Sequence, residues 1–65
     1  MPGNLDTMPN IGAPATRALQ SAGYRTLRDV AGASRSALLA LHGVGPRAIR
    51  IVEAALREHG MVLRD

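Results

Sequence analysis

The chain has 65 residues, with eight arginines and no lysine against five carboxylates, for a formal charge of +3. Its apolar share of 46% is aliphatic apart from one Tyr, with no Phe or Trp. That length allows one small domain (1–65) with a core near the lower limit for independent folding. Small aliphatics suit short, closely packed helices and not a β-sandwich, the lack of cysteine excludes disulfides and thiolate metal sites, and no apolar run nears the ~18 residues of a membrane span.

The opening "MPGNLDTMPN" has neither the basic start nor the apolar stretch of a signal peptide, so a cytoplasmic location is expected. Pro14 then sits where a first helical turn tolerates it, and "APATRALQSAG" reads as a helix stopping at Gly23. Ala15, Ala18, Leu19 and Ala22 form its small apolar face. In "TLRDV", Thr26 with Asp29 three residues on resembles a capping pair for a brief linking helix, about 26–31, ending by Gly32. Ser34 is placed to cap "RSALLAL", which is expected to run to Gly43. Pro46 opens "PRAIRIVEAALREH", closed by Gly60, with Ile49, Val52 and Leu56 on one face. Met61 and Leu63 in the tail should fold back on the core. No stretch alternates long enough for a strand, so the fold class is all-α, four to five short helices.

The chain is also an approximate repeat of itself at a shift of 33 residues. Leu5 falls on Leu38, Met8 on Leu41, Ile11 on Val44, Gly12 on Gly45, Arg17 on Arg50 and Leu19 on Val52. Two like units, about 5–23 and 34–60, are too few for a stable solenoid. They are expected to face each other across a pseudo-twofold axis, with both glycine turns on one side.

The turn "HGVGPR" carries the chemistry. Gly43 can take positive φ at little steric cost, Val44 can pin the turn to the core, and Pro46 starts the next helix. The amides of Gly45, Arg47 and Ala48 then lie at the positive end of a helix without intrahelical acceptors. Such an end accommodates an anion, and a nucleic-acid phosphate fits it. Arg47 and Arg50 flank this turn, and Arg17 holds the place of Arg50 beside the first turn, "NIGAPA". Two amide-lined turns with flanking arginines match the two phosphate strands bordering a groove of duplex DNA. The candidate contact residues are therefore Gly12, Ala15 and Arg17 in the first turn, and Gly43, Gly45, Arg47, Ala48 and Arg50 in the second.

"GVGPRAI" followed by an apolar helix resembles the helix-hairpin-helix motif, and the paired arrangement resembles the tandem (HhH)2 domain over roughly residues 5 to 63. "MPNIGAPATRALQSAGYRTLRDV" looks like the C-terminal domain of TfoX-type competence regulators. The order of a degenerate first motif, "TLRDV", "ALLAL" and "GVGPRAI" is similar to the C-terminal domain of the RNA polymerase α subunit. The resemblance implies a SAM-like fold and DNA contact across the minor groove, falling here on Gly45, Arg47, Ala48 and the neighbourhood of Arg17. The match departs at Ile49 and Thr16, where the motif favours Ala, and at Asn10, which replaces a leading glycine. Asn also tolerates left-handed backbone, so the turn is expected to survive. Pro14 stands where the polymerase domain carries its most used arginine, so recognition of a promoter element is not expected.

Arg50, Glu53 and Arg57 also fit a helical ladder of charge pairs, and Arg25, Arg28 and Arg35 are expected on solvated faces, Arg28 beside Asp29. His42 and His59 are isolated, without metal-ligand company. Tyr24 reads as an anchor between helices, and one aromatic gives poor support for stacking along single strands. No catalytic residue and no cofactor is expected: there is no Lys or Cys nucleophile, and the carboxylates do not cluster. The leading expectation is weak, largely sequence-independent duplex-DNA binding, nucleoid-associated if bacterial, assisted by self-association or another DNA-bound protein. The alternative is a protein-interaction module that keeps the fold without DNA binding.

Overall fold

The computed structural model describes residues 5–64, as four helices and their connections. Helix α1 spans Ala13–Ser21, α2 Leu27–Val30, α3 Arg35–Leu39 and α4 Pro46–Glu58. No strand forms among the described residues; an isolated parallel bridge joins Ser34 to Arg64. The all-α expectation therefore holds. The part of the first unit equivalent to α3 is residues 2–6, of which 5 and 6 are described, as a turn and not a helix.

Prolines start the two longer helices. Pro14 and Pro46 lie in their first turns, where a missing N–H removes no helical bond and the fixed φ is already helical. Side chains start the two shorter ones. Thr26 Oγ1 accepts from the Asp29 N–H at 3.2 Å, and Asp29 Oδ2 accepts from the Thr26 N–H at 3.2 Å and the Arg25 N–H at 3.0 Å. This reciprocal capping box lets α2 persist at four residues, far below the length that sustains an isolated helix. Ser34 Oγ accepts from the Ala37 N–H at 3.2 Å, as the sequence suggested.

α3 ends at Leu39, four residues before Gly43 and short of the predicted stop. The Ala40 N–H still bonds to the Ser36 carbonyl, but Leu41 bonds back three residues to Leu38 and Val44 three residues to Leu41. These tighter turns reverse the chain so that Val44 is buried while Leu41 packs against the core. A helix prolonged to Gly43 would carry Val44 away from that position.

Leu19, Leu27, Val30, Leu38, Ile49, Val52 and Leu56 form the centre of the core, and Ala15 and Ala48 are buried in the same cluster. Ile49, Val52 and Leu56 share the buried face of α4, as their spacing predicted. On α1, Ala15 and Leu19 are buried and Ala18 is partly so, but Ala22 is exposed because the helix ends at Ser21. Tyr24 packs at the edge of the core. The tail folds back as expected: Leu63 is buried and Met61 packs beside it. Its main chain is also tied down, with the Gly32 N–H donating to the Val62 carbonyl, Arg64 N–H to Ala33 and Arg35 N–H to Arg64 at 2.7–3.2 Å.

Candidate functional site

The two glycine turns meet. Asn10, Ile11, Gly12, Pro14 and Ala15 form one side of an open groove of about 460 Å³, and Gly43, Gly45, Arg47, Ala48 and Ile51 form the other. At Gly43 the two sides come close together. A methyl built on it would stand 2.9 Å from the Pro14 carbonyl oxygen and 3.6 Å from Ala18 Cβ. The turn at the head of α4 thus seats directly on the first turn of α1.

On the α4 side the geometry matches the sequence reading. Pro46 is the first helical residue and Gly45 the N-cap. The first helical acceptor bond nearby runs from the Ile49 N–H to the Gly45 carbonyl. The N–H groups of Gly45, Arg47 and Ala48 have no acceptor among the described residues. They stand at the positive end of a 13-residue helix.

The α1 side differs. Gly12 is the N-cap at φ 91, ψ 152, a region open to glycine alone, whereas in the second turn the positive φ, 97, belongs to Gly43. The Gly12 N–H donates to Asn10 Oδ1 at 3.2 Å, and the Thr16 hydroxyl donates to the Gly12 carbonyl at 2.8 Å. Asn10 therefore preserves the turn by an Asx contact, its side chain bonding the main chain two residues on. Ala13 and Ala15 keep first-turn amides; Pro14 contributes none.

Of the eight residues proposed from sequence, Gly12, Ala15, Gly43, Gly45, Arg47 and Ala48 line the groove, while Arg17 and Arg50 do not. Asn10, Ile11, Pro14 and Ile51 were not among the proposed contacts. Asn two places before a glycine is a readable Asx signal, and Pro14 is legible as the repeat partner of Arg47. Ile51 lies off the buried stripe of α4 and gave no signal.

Charge pairing leaves the groove basic. Arg28 lies on an exposed face, as expected, and its Nε bonds to Asp6 Oδ1 at 3.2 Å. Glu53 Oε2 lies 3.7 Å from Arg35 Nε, so the ladder expected with Arg50 and Arg57 gives way to a bridge from α4 to α3. Asp29 is held by backbone N–H groups, chiefly that of Arg25, which keep its carboxyl below the ordinary value of 3.8. Arg17, Arg47 and Arg50 are exposed, and no carboxylate among the described residues pairs with them.

Residues 3–58 match the model of the SAM-like helix-hairpin-helix tandem family. The chain belongs to that family. No curated protein and no solved structure matches it. Helix-hairpin-helix domains commonly bind nucleic acid and often bind proteins. In this tandem the two hairpins are the turns "NIGAPA" and "GVGPRA". No helix among its described residues is long and apolar enough to cross a membrane.

Proposed function

We propose that this helix-hairpin-helix tandem binds duplex DNA through its phosphates, largely without regard to base sequence and without catalysing a reaction. The observation that carries the reading is the groove itself. Both hairpins open into it, three amides at the head of α4 face no internal acceptor, and the arginines beside it are not neutralised. Asp6 and Glu53, the carboxylates that could cancel that charge, are drawn to Arg28 and Arg35 instead.

A regular polyanion suits these groups better than a small phosphate ester, because the groove is open and is lined from both hairpins. Helix N-terminal amides position a phosphate, and arginines fork onto its oxygens. The motif order that resembles the polymerase α and TfoX-type C-terminal domains would, carried over to this chain, imply contact along a minor groove. If about three to five phosphates are neutralised, log K should fall against log salt with a slope near −3 to −4. A single copy should bind in about the micromolar range or weaker at physiological salt, so useful occupancy calls for self-association or tethering to another DNA-bound protein. Such a role places the chain in the cytoplasm, on the nucleoid if bacterial.

The test is titration of labelled duplex DNA at two salt concentrations with wild type and the Arg47→Ala/Arg50→Ala variant. Binding that weakens with salt, and weakens further with a shallower slope in the folded variant, is the expected result. A folded wild type that fails to bind at low salt overturns the reading and leaves the protein-interaction module in its place.

A further inference from the structure

We infer that the DNA-binding surface runs on from the groove along α4 through Arg50 to Arg57, and that Arg35 on α3 keeps this ridge charged by holding Glu53 away from it. This rests on the duplex-DNA reading and adds two residues to it, Arg57 as a phosphate contact and Arg35 as a positioning residue. Arg47, Arg50 and Arg57 are all exposed. At 3.6 residues per turn they lie within about 80° of one another around the helix, and they span about 15 Å of its length. One strand of duplex DNA presents a phosphate for about every 3.4 Å of axis, so a ridge of that length passes several. Ala54, exposed between Arg50 and Arg57, is too short to stand in the way.

The ridge stays basic because an expected pair does not form. Glu53 stands three residues after Arg50 and four before Arg57, and a Glu four residues ahead of a cation is the favoured orientation for a pair on a helix. Local spacing alone would therefore join Glu53 to Arg57. Its Oε2 lies instead 3.7 Å from Arg35 Nε, with the Glu53 side chain only 25% exposed. Neither Arg50 nor Arg57 has an ion pair or a side-chain hydrogen bond among the described residues. Glu58, the other carboxylate of α4, is exposed and pairs with neither. Arg35 thus acts on DNA binding without touching DNA. Loss of its guanidinium frees Glu53 to turn to Arg57 or Arg50 and cancel a charge that a phosphate would otherwise meet.

Salt-dependent titration of duplex DNA with the whole chain tests this, with a thermal melt on each variant to establish folding. Arg57→Ala should weaken binding about threefold or more at low salt and make the slope shallower by about 0.9, the loss of one phosphate contact. Arg35→Ala should act in the same direction, and Arg35→Ala/Glu53→Gln should return to the wild-type slope. Arg28→Ala breaks the other ion pair and removes the same charge. It should shift affinity by less than about twofold and leave the slope unchanged, since the slope counts phosphate contacts and not net charge. A folded Arg57→Ala variant that binds like wild type overturns the ridge. Equal losses from Arg28→Ala and Arg35→Ala, or no recovery in Arg35→Ala/Glu53→Gln, overturn the role of Arg35 while leaving DNA binding intact. Should Arg35→Ala not fold, Arg35→Gln carries the same comparison. A wild type that does not bind at low salt removes the DNA reading, and this inference with it.

Discussion

A methyl group at Gly43 would stand 2.9 Å from the Pro14 carbonyl oxygen and 3.3 Å from its carbonyl carbon, on backbone at φ +97. Both obstacles are main chain, so neither can swing aside. At Gly45 the backbone is extended, at φ −114 and ψ 176, and the same methyl would meet nothing within 4 Å. The fold needs the first glycine and can spare the second. Gly43→Ala should therefore destabilise by at least about 1–3 kcal/mol, while Gly45→Ala should melt close to wild type and bind duplex DNA several-fold more weakly, since its methyl joins the groove lining. Comparing melting and binding for the two variants separates a structural glycine from one kept for a ligand. In the sequence "HGVGPR" the two look alike. What distinguishes them is Pro14, some thirty residues earlier in the chain, and only packing brings it there.

Among the elements, α2 depends most on chemistry outside its own helix. At four residues it has almost no internal bonding, and the Thr26–Asp29 box supplies what is missing. Thr26→Ala should lower stability by about 1 kcal/mol, as loss of an N-cap does. The backbone N–H groups of Arg25 and Thr26 hold the Asp29 carboxyl below 3.8 in the folded state. Its stabilising contribution is thus complete above that value and fades as pH falls through the lower folded value. The melting-temperature gap between wild type and Asp29→Asn should be constant near neutral pH and close as pH is taken below about 3.8. That box was legible because its partners are three residues apart. The early end of α3 was not, since "RSALLAL" is uniformly good helix sequence. Its stop is imposed by the need to bury Val44 and seat Gly43 on α1. The charge pairs were not legible for a similar reason: Arg28 reaches Asp6 and Glu53 meets Arg35 across the tertiary structure, where spacing along one helix carries no information.

For the molecule as a whole, closure depends on residues 61–64. Leu63 is buried against the core, and Leu63→Ala should remove about 2–5 kcal/mol from a total that a chain of this length holds at about 3–10 kcal/mol. Arg64 joins Ala33 and Arg35 through main-chain atoms, and its side chain is exposed; Arg64→Ala should shift the denaturation midpoint little. The return of Leu63 was readable from its apolarity, but backbone pairing leaves no signature in side chains, so the bridge to Ser34 was not. The repeat, by contrast, showed in advance that the two hairpins would share a side, because aliphatic and glycine positions recur together. Their seam, main chain of Pro14 against Gly43, acts as a gauge block set between two jaws. An opening held that way does not widen to suit what enters. If the proposed reading holds, a duplex that already has the matching shape, or yields to it cheaply, should be favoured over a stiff one. On the proposed DNA-binding reading, any discrimination among DNA sequences would arise from the mechanics of the DNA and not from contacts to its bases.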